Sequence, residues 1–264
     1  MYKRPHRRWR RLKRKIPLYA FLLAVLAFIM AFAFPPEEAP AQPAPVYPLS
    51  SLVEPEPPAA PAPASVEPEI PSGPAVDKSA WNLKLVNTWN PLSRDHTFTP
   101  TELANGCKVD QRCYPDLQAM MDACRAAGLS PVICSAYRSY EKQEELYQKK
   151  VDKLVAQGYS QSVAETEAAK EVAVPGTSEH QLGLAMDIVD LNNQNLDESQ
   201  ENTAVQKWLM EHSWEYGFIL RYPSGKSDVT GIIYEPWHYR YVGREAAAEI
   251  YAQGVCLEEY LAGE

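Results

Sequence analysis

Ser178-Glu179-His180-Gln181-Leu182-Gly183-Leu184-Ala185-Met186-Asp187 is the stretch on which the reading of this 264-residue chain turns, and Glu235-Pro236-Trp237-His238 answers it further along. Two imidazoles and one carboxylate make three metal ligands. A structural zinc site closes its fourth position, usually with cysteine, whereas a catalytic site leaves that position open for water. Glu235 stands three residues before the second histidine, where it can serve such a water as general base. Pro236 excludes reading Glu235-x-x-His238 as half of a helical H-E-x-x-H motif, because proline breaks a helix interior. The pair therefore has to sit on an extended or turning segment.

Each of these residues has a plainer reading beside the chemical one. Asp187 lies in the alternating run from Leu184 to Val189, which suits a strand. A bare carboxylate turned into a core is strongly unfavourable unless paired or metal-bound; the alternatives are a solvated edge-strand aspartate or the partner of an arginine. His238, between Trp237 and Tyr239, also reads as a packed, hydrogen-bonded histidine. Arg138, in the Ser135-to-Ser139 turn, offers a bidentate fork to a carboxylate or a donor to a developing oxyanion, or is a surface ion pair. Among the other histidines, His6 belongs to a basic block and His96 is expected to be solvated in a polar loop. His212, near a helix C-terminus where the dipole favours a charged imidazole, is the substitute ligand should His238 not serve. Glu179 rivals Glu235 as base but, beside a ligand, is expected to point away.

Around these segments the chain reads as α+β, a small antiparallel sheet with flanking helices, because helices and short strands mix without a regular βαβ alternation. Helices are expected over Tyr114–Ala127, closed by Gly128, and over Tyr140–Val151, Ser160–Val172, Asn202–Trp214 and Arg244–Gln253. Strands are expected at Pro131–Cys134, Leu184–Val189, Gly217–Tyr222 and Tyr239–Val242. The five cysteines lie at 107, 113, 124, 134 and 256. Cys107 and Cys113 flank a short loop and could bridge, whereas Cys124 and Cys134 read as buried, inert thiols. None has C-x-x-C spacing, so none is counted as a metal ligand.

Residues 1–15 carry nine Lys or Arg and no acid, and residues 16–34 run without a charge. As a helix, that run is about 28 Å long, close to a hydrocarbon core of about 30 Å. It reads as a transmembrane anchor; a cleaved signal peptide ending at Ala31-Phe32-Ala33 is the rival. In both cases the basic block stays cytoplasmic and the remainder is exported. Of the 23 prolines, 14 fall in residues 35–76, so 35–80 is expected to form a semi-rigid stalk reaching on the order of 130 Å at full extension. Residues 81–264 make one catalytic domain. The formal charge of −8 divides into nine N-terminal positives and 17 Lys and Arg against 34 Asp and Glu after them, which argues against nucleic acid as a partner.

The pattern Ser178-x-His180-x-x-Gly183-x-Ala185-x-Asp187, with Glu235-Pro236-Trp237-His238 and Tyr137-Arg138-Ser139, resembles the VanY-type D-alanyl-D-alanine carboxypeptidases. These belong to the wider group of zinc peptidases that share a fold with the hedgehog signalling domain. The likeness starts near Leu85-Val86-Asn87 and Asn90-Pro91-Leu92 and runs through Gly217–Pro223, Thr230-Gly231-Ile232 and His238–Gly243 to Leu257–Leu261. It shows no departure at the metal or base positions. The resemblance implies that His180, Asp187 and His238 bind Zn2+, that Glu235 is the catalytic base, and that Arg138 polarises the scissile carbonyl or holds substrate. It implies that Ser178 and Gln143 help bind the C-terminal end of the peptide and that Trp237 walls the site.

The function so implied is removal of the terminal D-Ala from peptidoglycan stem peptides by a monomeric, membrane-anchored enzyme with its domain outside the cell, or a secreted one if the N-terminus is cleaved. The alternatives are an L,D-carboxypeptidase acting on tetrapeptide stems and a non-catalytic zinc-containing module that binds wall peptides. Ser139-Tyr140-Glu141-Lys142 also fits the S-x-x-K motif of serine penicillin-binding proteins, but the companion S-D-N and K-T-G motifs are missing.

Overall fold

A computed structural model of the chain describes residues 76–263. The basic block, the apolar run at 16–34 and nearly all of the expected stalk lie outside the described residues. Among the described residues no helix is long and apolar enough to cross a membrane.

Among the described residues a 3₁₀ turn at Trp81–Leu83 comes first, followed by a hairpin of β1 (Pro100–Glu102) and β2 (Lys108–Asp110). Helix α1 (Tyr114–Ala126) follows, with Leu117, Met120, Met121 and Cys124 buried along one face at helical spacing. Then come β3 (Pro131–Ser135), the helical hairpin of α2 (Tyr140–Ala156) and α3 (Gln161–Glu171), and β4 (Ala185–Asp190). The remainder is α4 (Ala204–His212), β5 (Phe218–Leu220), the single turn α5 (Ser227–Thr230), β6 (His238–Tyr241), α6 (Arg244–Gln253) and α7 (Leu257–Ala262).

The second sheet has the order β3-β4-β6-β5, antiparallel throughout. The two-residue period of β4 and β6 gives that sheet two different faces. Met186 and Ile188 of β4, with Tyr239 and Tyr241 of β6, enter the main core beside α1 and α4. Burying a side chain of that size contributes about 1.5–3 kcal/mol. The intervening residues Ala185, Asp187, His238 and Arg240 therefore share the opposite face. A second core forms where Ile219 and Val242 meet Ala246, Ala247 and Ile250 of α6 and Leu257 and Tyr260 of α7.

The α+β reading and its main elements stand, and the differences have local causes. Helix α2 runs on to Ala156 because Leu154, one turn beyond Val151, still finds Ala164 and Ala168 of α3 to pack against. The expected helix at 202–214 is shorter, because Thr203 caps it by accepting a hydrogen bond from Gln206 N, and single 3₁₀ turns flank it. Neither the β1–β2 hairpin nor α7 is expected from the sequence. Cys107 and Cys113 do not bridge; all five cysteines are free thiols. Cys113 is buried and turns its thiol to the Asp110 carbonyl at 3.1 Å. Cys124 is buried as expected, but Cys134 faces outward from β3 and is exposed.

Gly183 joins the two halves of the histidine–aspartate stretch in a left-handed conformation, φ 74°, and a Cβ there would lie 2.6 Å from the Phe98 ring. An L-residue in that region costs roughly 1–2 kcal/mol. Gly183→Ala is therefore expected to lower unfolding stability by at least that amount, measured by urea titration.

Candidate metal centre

Pro175-Gly176 ends the approach from α3, and the chain enters a single 3₁₀ turn, Glu179–Leu182, that Gly183 terminates. Gln181 Oε1 fastens the entry by accepting from Gly176 N at 2.8 Å, and His180 O accepts from Arg138 N at 3.2 Å. The His180 ring is held by its Nδ1, which lies 2.6 Å from the Ala136 carbonyl and donates to it. Its Nε2 is thereby left unprotonated and faces Asp187 Oδ1 at 3.3 Å.

The sheet register supplies the other two groups. Asp187 of β4 is directly opposite His238 of β6, and directly opposed residues bring their Cβ atoms to about 4.5–5.5 Å. His238 Nδ1 lies 3.1 Å from Asp187 Oδ1. One donor atom from each of His180, Asp187 and His238 falls within 4.8 Å of the others, and all three residues are buried. Ligands bound to tetrahedral zinc at about 2.0–2.2 Å stand roughly 3.3–3.5 Å apart. The spacing and the two-imidazole, one-carboxylate donor set fit zinc.

Two further residues border this trio. Glu235 puts Oε2 3.6 Å from His238 Nδ1. Arg138 donates from Nη2 to Asp187 Oδ2 at 2.5 Å and from Nε to Ser135 Oγ at 2.9 Å. Burial pushes the Glu235 carboxyl up to about 8 against the pull of His238. Burial and the Arg138 charge take His180 down to about 4, with Asp187 opposing. For His238 burial also disfavours the charged form, but the neighbouring carboxylates, Asp187 and Glu179, outweigh it and raise the ring to about 9. Asp187 is held well below the usual carboxylate range by His180 and Arg138 in spite of its burial.

These groups line a cleft of about 310 Å³. The residues that the family resemblance implies for the site all reach it: the three candidate ligands, Glu235, Arg138, Ser178, Gln143 and Trp237. Gln143 uses Nε2 to donate to the Ala173 carbonyl at 2.7 Å, and its buried Oε1 has no partner. Its free polar atom is therefore an acceptor. Sequence reasoning did not find Tyr222, Glu171, Leu196, Ile232 or Ile233, which also line the cleft. Tyr222 packs its ring against His238, centroids 4.8 Å apart; it follows an arginine in a strand pattern and carries no signal of its own.

Other candidates fall away. His212 lies outside the cleft and pairs with Glu215 at 2.8 Å. His96 is not solvated as expected: its Nε2 is buried without a partner, and burial lowers its pKa. Ser139 caps α2 by accepting from Lys142 N at 3.2 Å, while the Lys142 ammonium reaches outward to Glu145. The S-x-x-K match is a helix cap.

Residues 106–244 match the family described as VanY: D-alanyl-D-alanine carboxypeptidase. The chain is 49% identical over 185 residues to a D-alanyl-D-alanine carboxypeptidase of Enterococcus faecalis (strain ATCC 700802 / V583), the alignment covering 70% of this chain and 67% of that one. Among solved structures it is similar to VanYB in complex with D-alanine-D-alanine (48% identity, TM-score 0.65, 70% of this chain and 99% of that chain). It is equally similar to a glutamate-to-alanine variant of the vancomycin resistance D,D-pentapeptidase VanY from a VanB-type resistance cassette in complex with Zn(II) (48% identity, TM-score 0.64, 69% and 99%).

Loss of a ligand atom should empty the site. His180→Ala and His238→Ala are expected to bring zinc content, measured by elemental analysis, to near zero. His212→Ala should retain wild-type content, and retention of zinc by both ligand variants would refute the assignment.

Proposed function

We propose, from the premise that this chain belongs to the VanY family of D-alanyl-D-alanine carboxypeptidases, that it removes the terminal D-Ala from peptidoglycan stem peptides as a zinc-dependent D,D-carboxypeptidase. The observation that carries this reading is the convergence of His180 Nε2, Asp187 Oδ1 and His238 Nδ1 with Glu235 beside them in one cleft. When bound there, zinc supplies Lewis-acid activation of a water and of the scissile carbonyl.

The remaining work falls to the chain's own side chains. Glu235 takes a proton from the attacking water and returns it to the leaving amine of D-Ala. Arg138 is anchored to Asp187 and Ser135 through Nη2 and Nε, and its guanidinium edge at the cleft stabilises the oxyanion of the tetrahedral adduct. Ser178 and Gln143 contact the C-terminal end of the peptide. Gln143 does so as an acceptor for a substrate N–H, through its buried and unpartnered Oε1. Trp237, with Ile232 and Ile233, forms the apolar side of the cleft.

The apolar run at 16–34, behind nine basic residues, supports attachment to the cell membrane as a single span with the domain outside, and the proline-rich stretch supports a stalk holding it at wall distance. We read the enzyme as a monomer.

Glu235→Ala is expected to lower release of D-Ala from pentapeptide stems by about 10²–10⁴-fold with zinc content kept, as followed by mass spectrometry. Unchanged turnover would sink the enzymatic assignment, and trimming of tetrapeptide but not pentapeptide stems would transfer it to L,D-specificity. A chelator should abolish activity and penicillin should not. Deleting residues 1–34 should move the protein from the membrane fraction to the soluble one; unchanged fractionation would refute the anchor.

A further inference from the structure

Glu179 does not face the cleft. It is buried on the sheet face that carries His238 and Arg240, where Oε1 accepts from Arg221 Nε at 2.8 Å and from Arg240 Nη1 at 2.7 Å. Every other nitrogen of the two arginines also has a hydrogen-bond partner. Arg221 makes a bidentate pair with Glu258 of α7, at 2.8 and 2.6 Å. Arg240 donates to the carbonyls of Asn82, Lys84 and Tyr241. One atom of this assembly has no hydrogen-bond partner: Glu179 Oε2. It faces His238 Nε2 at 3.9 Å, and that nitrogen is likewise buried and unpartnered.

A buried carboxylate oxygen and a buried ring nitrogen, each without a partner, are costly apart and complementary together. His238 presents Nδ1 to Asp187 and the metal position, so the tautomer that keeps a lone pair on Nδ1 carries its hydrogen on Nε2, aimed at Glu179. His180 has the equivalent arrangement already closed, with its outer nitrogen on the Ala136 carbonyl. Such outer partners fix the orientation and tautomer of metal-bound imidazoles.

We propose that Glu179 is the positioning residue of His238, accepting a hydrogen bond from Nε2–H and so holding Nδ1 toward the metal. Arg221 and Arg240 hold the carboxylate in place. This rests on the assignment of His238 as a zinc ligand.

The test compares Glu179→Gln with Glu258→Gln by zinc affinity, read from chelator competition, and by thermal unfolding of the metal-free proteins. Both remove one charge from the same buried network. With its carbonyl kept on the arginines, the amide of Glu179→Gln turns an N–H toward His238 and favours the wrong tautomer. We expect Glu179→Gln to bind zinc about 10–100-fold more weakly than wild type, and Glu258→Gln to bind zinc as wild type does with a comparable loss of thermal stability. Equal zinc affinities in the two variants would overturn the proposal. A crystal structure of the zinc-loaded wild type supplies a measure independent of variant folding. A distance from Glu179 Oε2 to His238 Nε2 of about 3.2 Å or less is expected, and one still near the present separation would overturn it. Failure of the wild type itself to bind zinc would instead count against the assignment of the site.

Discussion

The buried carboxylate of Asp187 is the constraint from which the other features follow. It lies against His180 Nε2, His238 Nδ1 and the Arg138 guanidinium at once, on a strand whose alternate residues form the main core. An ion withdrawn from water without partners is severely destabilising. The sheet can therefore adopt only a register that surrounds Asp187 with opposite or metal-bound charge. A slip of one residue would turn Asp187 into the core and Met186 into the cleft. The β4–β6 register and the ligand geometry are thus a single requirement met twice, once by packing on one face and once by electrostatics on the other.

On that face the same logic repeats at larger scale. Glu179, Arg221, Arg240 and Glu258 form an alternating chain of two anions and two cations with almost no solvent contact. Buried ion pairs of this kind add little net stability compared with apolar packing, but removing one member is strongly destabilising. Their effect is to fix where groups lie. The network ties the turn bearing His180, strand β6 bearing His238, and the C-terminal helix α7 to common atoms. It also places rigid charge, instead of adaptable apolar packing, beside the candidate ligands.

The sequence revealed this site more completely than it revealed the fold around it. His180, Asp187, His238 and Glu235 were legible because each is an awkward residue for its local pattern: a carboxylate in an apolar strand, histidines beside turns and aromatics, a glutamate before a proline. Their convergence depends on strand register, which spacing along the chain does not specify. The β1–β2 hairpin was missed because three-residue strands give no period to detect, and α7 because six residues after Gly254 do not fill two helical turns. Tyr222, Ile232 and Ile233 reach the cleft from turns, where orientation is set by tertiary contacts. The cysteine pairing failed for a related reason: proximity along the chain does not bring Cys113, turned into the core, to Cys107.

Glu179 and Glu235 show how one residue type can be put to two uses beside the same imidazole. As sequence they were rivals for the role of base. Both are buried and both approach His238, Glu179 at Nε2 and Glu235 at Nδ1. What separates them is the placement of arginines. Burial alone would push either carboxyl up, but Arg221 and Arg240 overcome it for Glu179 and hold that group ionised well below the ordinary range. A carboxylate so stabilised is a poor proton acceptor and a good fixed anchor. Glu235 has no arginine in hydrogen-bond contact among the described residues; burial dominates, and its affinity for a proton rises toward that of groups that exchange near neutrality. It also borders the cleft, which Glu179 does not. Proton transfer requires access to the reacting atoms, and of the two glutamates Glu235 alone has it.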